Sequence, residues 1–122
     1  MKKLFFTLLF AVVVSAISAS AQKVELSNVI FDKDKCTITR KSDGKVFKFS
    51  GTFKIVKDFA DFEVKIVNDF ADAEIKIVDS FPGCCEFVPV NDFPDVTIKL
   101  VDDFADFSVK LVNSFPCINH WL

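Results

Sequence analysis

The sequence has few of the residues from which most catalytic and cofactor sites are built. Glycine occurs only at positions 44, 51 and 83, so the chain has no glycine-rich loop that could hold a phosphate group. His120 is the one histidine, and no serine has a histidine and an acidic residue at a recognisable spacing. The sequence therefore predicts that the protein is not an enzyme and needs no cofactor.

The first residues have the pattern of an export signal. Met1-Lys2-Lys3 precedes an apolar run from Leu4 to Val14, and Ala19-Ser20-Ala21 ends the segment with small residues. This three-part pattern is typical of a secretory signal peptide. The apolar run is shorter than the roughly 20 residues that a membrane-spanning helix needs. We therefore expect cleavage after Ala21, a secreted or periplasmic mature chain, and no membrane span in it.

Cleavage leaves a mildly acidic chain. Without Lys2 and Lys3, 13 of the 15 basic residues remain against 17 acidic ones, which gives a net charge of −4. A chain of this charge lacks the basic surface that nucleic acid or anionic lipid attracts. One domain is expected at this length. We predict a monomer whose partner is extracytoplasmic and unknown.

Most of the mature chain repeats one eleven-residue pattern. The six repeats, interrupted only by the inserted Cys84, are Gly51–Asp61, Phe62–Asp72, Ala73–Gly83, Cys85–Asp95, Val96–Asp106 and Phe107–Cys117. The sixth position is always valine: Val56, Val67, Val78, Val90, Val101 and Val112. The ninth is always phenylalanine: Phe59, Phe70, Phe81, Phe93, Phe104 and Phe115. A fixed period of this kind indicates a repeat architecture.

The repeat pattern predicts one β-strand followed by a turn, in the second repeat and at Thr52–Val56, Glu74–Val78, Thr97–Val101 and Ser108–Val112. In the second repeat, Glu63, Val64, Lys65 and Ile66 alternate polar and apolar side chains, which is typical of a half-buried strand. Turn-favouring residues follow. Prolines inside the pattern argue against a helix: Pro82, Pro94 and Pro116.

An antiparallel meander that closes into a small barrel fits these lengths. We expect the ninth-position phenylalanines to fold back from the connections and fill the core, rather than to stack on a ligand. The fourth position supplies an outward ladder of lysines, which pairs across the sheet with Glu63 and Glu74. These lysines are Lys54, Lys65, Lys76, Lys99 and Lys110.

Residues 22–50 do not follow the repeat. The apolar residues of Val24–Phe31 predict one short strand, and Asp43-Gly44 separates two alternating segments, which is a strong hairpin signal. We therefore divide the chain into a signal peptide (1–21), an N-terminal hairpin or cap (22–50) and a six-repeat β domain (51–122).

Three segments share an Ala-Asp-apolar-x-Val-x-x-Val unit: Ala60–Val67, Ala71–Val78 and Ala105–Val112. A divergent central segment, Gly83–Pro89, and a tryptophan near the end, Trp121, accompany them. In these features the chain resembles the septoil-knot domain family. The resemblance implies a small all-β domain of unknown function whose chain is tied in a seven-crossing torus knot. The expected fold class is thus all-β, built from short tandem-repeat strands and knotted, with the antiparallel meander or barrel as the alternative.

Four cysteines in an exported chain predict two disulfides, and three pairings are open. The candidates are Cys36, Cys84, Cys85 and Cys117. We expect Cys84 or Cys85, in the irregular central connection, to be oxidised with Cys36 or Cys117. The simplest arrangement uses both central cysteines, one with each distant partner. A bridge between the adjacent pair would be strained.

Metal sites have weaker support. Cys84, Cys85, Cys117 and His120 form an acceptable zinc set, but without the usual paired spacing. Paired aspartates recur as Asp-Phe-Ala/Pro-Asp, at positions 58 and 61, 69 and 72, 92 and 95, and 103 and 106. They lack the glycines of calcium loops. We predict no metal site, and expect the first aspartate to bond local backbone and the second to be solvated.

Three functions remain open. The first is an exported non-enzymatic module with a structural or binding role. The second is a metal- or calcium-dependent version of that module. The third is an enzyme of unrecognised type.

Overall fold

The computed structural model describes residues 23–118. The predicted signal peptide, His120 and Trp121 therefore lie outside the described residues. Residues 23–118 form eleven β-strands, which belong to two sheets. The same range contains no helix capable of spanning a bilayer.

The first sheet is antiparallel and comes from the segment before the repeats. Its strands, paired in chain order, are β1 (Lys23–Glu25), β2 (Val29–Asp32), β3 (Thr37–Arg40) and β4 (Val46–Lys48). The hairpin predicted at Asp43-Gly44 joins β3 to β4, and Gly44 adopts the φ of +73° that makes glycine suitable there. The single strand predicted over Val24–Phe31 is wrong. A turn closed by the Leu26 N–H and the Val29 carbonyl (2.9 Å) divides it into β1 and β2.

The second sheet contains one strand from each repeat. These strands are β5 (Gly51–Ile55), β6 (Phe62–Ile66), β7 (Ala73–Ile77), β8 (Glu86–Pro89), β9 (Val96–Leu100) and β10 (Phe107–Leu111). All six run parallel, and the pairing of β10 with both β6 and β7 closes them into a barrel, in the order β5-β9-β6-β10-β7-β8. The antiparallel meander is therefore wrong. A last strand, β11 (Cys117–Ile118), adds antiparallel to β7.

Each barrel strand divides its length between two neighbours. The first half of β9, from Val96 to Ile98, pairs with β5, and its second half, from Ile98 to Leu100, pairs with β6. Such a stagger tilts the strands strongly against the barrel axis. Parallel strands in one sheet normally need a crossover of about a dozen residues or more. Here the tilt itself carries the chain round the barrel, so a short connection reaches the next repeat's strand.

The connections cross the outside of the barrel. After β5, the Val56 N–H donates to the Ile98 carbonyl (2.8 Å), and the Asp61 N–H donates to the Thr97 carbonyl (3.0 Å). Adjacent carbonyl groups of a strand point to its two opposite edges, so Val56 and Asp61 are bonded to opposite edges of β9. The connection between them therefore passes over β9, and it does so on the outer face, because the inner face of β9 packs in the core. The second, fourth, fifth and sixth connections cross β10, β5, β6 and β7 in the same way.

The third connection is the exception. Each of the other connections within the barrel moves the chain two positions round the ring. Three such steps on a ring of six would return the chain to the place of β5. The third connection, which contains the inserted Cys84, moves only one position and places β8 between β7 and β5. As a result, β8, β9 and β10 fill the gaps between β5, β6 and β7.

The antiparallel sheet caps the end of the barrel where its strands begin. Phe31 and Phe49 from the cap contact the ring of Phe107 edge-on, with centroids 5.4 and 6.0 Å away, and Phe47 contacts Phe62 at 4.9 Å. All five rings are at most 9% exposed. Burying rings of this size supplies much of the stabilisation of a small core.

Arg40 ties the cap to the first connection. Its guanidinium donates to the Asp61 carbonyl (3.1 Å) and forms an ion pair with Asp43 (2.7 Å). Its side chain also lies over the Phe47 ring, 5.2 Å from the centroid. The hydrogen bond from Arg40 lowers the pKa of Asp43 to about 2.

The ninth-position phenylalanines do not lie in the core, so the prediction that they fill it is wrong. Their exposed fractions run from 91% at Phe115 to 101% at Phe59. All six adopt left-handed backbone, with φ between 51° and 58°. The core space is occupied instead by first-position rings, such as Phe62 and Phe107, and by the phenylalanines of the cap.

The second aspartate of each pair is not simply solvated. It fastens a connection to the strand that the connection crosses. Asp72 Oδ2 accepts from the Ser108 backbone N–H (2.8 Å) and from Ser108 Oγ (3.1 Å), while the Asp72 N–H donates to Ser108 Oγ (3.0 Å). We call such a pair a latch. The others are Asp61–Thr97, Asp95–Thr52 and, with the Glu63 backbone alone, Asp106–Glu63.

The Asp95–Thr52 latch also explains why position 51 is a glycine. Gly51 has a φ of +113°, and a Cβ at this position would lie 2.6 Å from Asp95 Oδ2. That oxygen accepts from the Thr52 N–H (2.9 Å). A larger residue at position 51 would therefore displace the carboxylate that holds the fourth connection over β5.

The latch predicts an unequal effect for two aspartates of one connection. Asp72→Ala should lower the free energy of unfolding by about 1–3 kcal/mol, because it leaves the half-buried Ser108 donors without an acceptor. Asp69→Ala should change it by less than about 0.5 kcal/mol, because Asp69 is exposed. Urea denaturation measures both. Equal losses would argue against the latch.

Two phenylalanines of the second repeat should also differ in how much they contribute to stability. Phe62→Ala should cost about 3–5 kcal/mol, because its ring is 2% exposed. Phe70→Asn should leave stability unchanged or raise it by up to about 1 kcal/mol, because asparagine tolerates left-handed backbone better than phenylalanine. The measurement is thermal or urea unfolding. A loss above about 1 kcal/mol for Phe70→Asn would mean that its ring is packed.

Candidate binding site

Among residues 23–118, none closes the end of the barrel opposite the cap. The fifth-position side chains surround this opening and are each 42–52% exposed: Ile55, Ile66, Ile77, Leu100 and Leu111. We call these five residues the mouth. Pro89 takes the equivalent position in β8. The mouth forms because the repeats place an aliphatic residue at the last inward position of a strand and no other described part of the chain covers it.

Below the mouth lies a cavity of about 260 Å³. It reaches from the mouth to Phe47 and Phe49 of the cap, and every residue that lines it is apolar except Lys48. Ordered water needs two to four polar partners, and the side chains that line this cavity provide too few hydrogen-bonding groups to hold it. Its volume falls just below the range of about 300–1,000 Å³ typical of small-molecule sites. It suits one alkyl segment or one ring.

The lysine ladder surrounds the mouth on the outer surface of the barrel. Each of these lysines directly precedes a mouth residue, and together we call them the lysine collar: Lys54, Lys65, Lys76, Lys99 and Lys110. Lys99 lies opposite Glu63 and Lys110 opposite Glu74, as predicted, but neither pair is among the ion pairs found within residues 23–118. Lys54 and Lys65 instead lie opposite Thr97 and Ser108, and both are exposed.

The collar lysines keep charge available for a ligand. The ion pairs found among residues 23–118 involve Arg40 and Lys41 and no collar lysine. An apolar cavity beside solvent-exposed ammonium groups can hold a molecule that has an apolar part and a nearby negative charge. The described lining residues include no acid, thiol or hydroxyl.

The exposed ninth-position rings form a second surface, which we call the phenylalanine turns. Four of the six rings directly follow an aspartate: Asp58, Asp69, Asp92 and Asp103. These carboxylates are exposed and take part in none of the hydrogen bonds or ion pairs found within residues 23–118, so the prediction that they bond local backbone is wrong. Each such turn thus presents an apolar ring beside a free negative charge.

The family model of the 7(1) septoil knot domain matches residues 46–119. The chain belongs to the septoil knot domain family. A search of the curated proteins found no match. The match covers the last strand of the cap and all six repeats, and it confirms the resemblance seen in the Ala-Asp-apolar repeats.

The described residues contain one disulfide, which joins the cap to the matched region. Cys36, in the turn between β2 and β3, is bonded to Cys84, in the third connection, with the Cα atoms 5.9 Å apart. This confirms the expectation that a central cysteine is oxidised with a distant partner. The second expected bridge is wrong, since Cys85 and Cys117 form no disulfide. Cys85 is buried under the cap, whereas Cys117 is exposed on β11.

The cysteines also test the metal hypotheses. The sulfurs of Cys36, Cys84 and Cys85 lie within 4.8 Å of one another, and no other group of three metal-ligand side chains occurs within residues 23–118. The predicted set differed, because it included Cys117 and His120, and His120 lies outside the described residues. With Cys36 and Cys84 joined, only one thiol of the cluster could bind a metal. The paired aspartates form no such group among the described residues.

The disulfide joins the cap to the barrel next to the strand that breaks the repeat order. Cys36→Ser with Cys84→Ser should lower the free energy of unfolding by about 2–4 kcal/mol, because the bond closes a loop across a sequence separation of 48. Cys117→Ser is the matched control and should change stability by less than about 0.5 kcal/mol. Denaturation of oxidised protein checks both. A loss below about 1 kcal/mol for the double variant would mean that the cap holds without the bond.

Proposed function

We propose that this septoil knot domain is an exported, non-enzymatic binding module, and that its mouth holds the apolar part of an anionic ligand. The observation that carries the proposal is the cavity of about 260 Å³, lined by apolar side chains, which opens through five half-exposed aliphatic residues. A folded monomer gains nothing from leaving those residues in water. A ligand that covers them gains roughly 25 cal/mol for each Å² of apolar surface removed from water.

The charge around the mouth selects the polar part of the ligand. The collar has five lysines, and only three of them face a glutamate across the sheet. An anionic head group outside the cavity would lie near Lys54 and Lys65, the two collar lysines that face no glutamate across the sheet. The module therefore suits a medium-length anionic amphiphile, with its chain in the cavity and its head group at the collar.

Two features support export. The first 21 residues have the three-part pattern of a signal peptide. The Cys36–Cys84 disulfide suits an oxidising compartment outside the cytoplasm. The absence of acids, thiols and hydroxyls from the described cavity wall supports a binding role over catalysis.

Calorimetry with two ten-carbon amphiphiles tests the site. Decanoate should bind more tightly than decyltrimethylammonium, because the collar attracts one head group and repels the other. Ile66→Asp should weaken decanoate binding at least tenfold, since it places a negative charge in the mouth. Val46→Asp is the matched control, because Val46 is similarly exposed but lies on the cap.

A second variant tests the contribution of the lysine collar to binding. Lys54→Ala with Lys65→Ala should weaken decanoate binding by about two- to fivefold, the size expected for exposed charges, and should narrow the difference between the two amphiphiles. The proposal fails if neither amphiphile binds. It also fails if Ile66→Asp and Val46→Asp bind decanoate equally well.

A further inference from the structure

We propose that the domain associates with copies of itself, by inserting a phenylalanine turn of one copy into the mouth of another. The inference rests on the mouth described under the proposed function, and it names the partner for that site. It departs from the monomer predicted from sequence. Each Asp-Phe turn displays an apolar group beside a negative charge, as the ligand of the proposed function does.

The rings of the phenylalanine turns add no packing within residues 23–118. Each ring is at least 91% exposed, so it packs against nothing in the described chain. Each turn also holds its phenylalanine in left-handed backbone, a conformation that costs an L-residue about 1–2 kcal/mol. Exposed apolar groups repeated round a surface mark an interaction site rather than a folding requirement.

The shape and polarity of the two surfaces match. The cavity is apolar and, at about 260 Å³, has room for one phenyl ring but not for several. A ring that enters it would exchange full exposure for contact with the mouth residues and the third-position side chains below them. The left-handed turn fixes the backbone that carries the ring, so little conformational entropy is lost on insertion.

The charges also match. An aspartate directly precedes the ring in four turns, and it would approach the collar of the second copy as the ring enters. The two lysines without an opposite glutamate, Lys54 and Lys65, are the exposed pair that could meet it. The turn after β7 lacks this charge, because Ser80 precedes Phe81, and the turn after β10 has Ser114 before Phe115. The turns of Phe59, Phe70, Phe93 and Phe104 should therefore bind most strongly.

The contact is heterologous, since a turn on one copy meets a different surface on the next. Such contacts generate open chains unless the rotation closes a ring. Each copy has one mouth, so each can accept one turn, while its own turns lie on different sides of the barrel. The expected product is a chain of copies whose length grows with concentration.

A complementation experiment tests this arrangement. One variant, the acceptor, carries Phe→Asn at positions 59, 70, 81, 93, 104 and 115, which suits the left-handed backbone and keeps the mouth. The other, the donor, carries Ile66→Asp, which keeps the turns and blocks the mouth. In sedimentation velocity the natural sequence should form larger species as concentration rises, and each variant alone should remain monomeric. An equimolar mixture of the two variants should recover complexes.

Several outcomes would overturn the inference. A natural chain that stays monomeric up to about 1 mM excludes the contact. Association that Ile66→Asp abolishes but that the mixture fails to recover indicates mouth-to-mouth pairing. Association that persists in Ile66→Asp alone indicates contacts between the turns themselves.

Decanoate separates this inference from the proposed function. It should bind the acceptor as it binds the natural sequence, and an excess should dissolve the assemblies. Decanoate binding without any self-association overturns the inference and leaves the proposed function in place. Failure of decanoate to bind any variant removes the proposed function, whatever the sedimentation shows. Salt at 0.5 M should weaken the assemblies severalfold, because the charges involved are exposed.

Discussion

The stagger between neighbouring strands is the constraint on which the rest of the structure depends. Because β9 gives its first half to β5 and its second half to β6, every barrel strand must tilt steeply. The tilt lets short connections join parallel strands, and it also forces those connections over the outer surface. The latches follow from this path, since each crossing brings an aspartate to the backbone of the strand below it.

The inserted residue converts a simple repeat into two interleaved sets of strands. A chain that always moved two positions would place β8 on top of β5. The connection that contains Cys84 shortens one step, and β8, β9 and β10 then occupy the spaces between β5, β6 and β7. The same connection is bonded to the cap through Cys36. The cap and the order of the strands are therefore secured at the same point, while no described residue closes the other end of the barrel.

The strands of the first, second, third, fifth and sixth repeats could be predicted from sequence, because alternation is a local property, and they lie within about one residue of where the pattern places them. The order of the strands could not, since a repeat shows which residues are equivalent but not which strands are neighbours. The latch partners are 36 or 43 residues apart, so their pairing appears only once the ring order is known. Phe70 and its equivalents were misplaced because apolar character predicts burial, whereas left-handed backbone turns these side chains outward. The mouth was missed because Ile66 and its equivalents look like ordinary core residues.

The crossings decide which strand can leave the barrel first. A connection bonded to both edges of a strand holds that strand against the wall, so it cannot peel away until the connection is removed. Within the described residues, β8 is the one barrel strand that no connection crosses. It begins two residues after Cys84, so the disulfide acts where the covering connection is missing. Under a mechanical load or beside a protease, the domain would open at this strand, and the redox state of its surroundings would set how readily it does so.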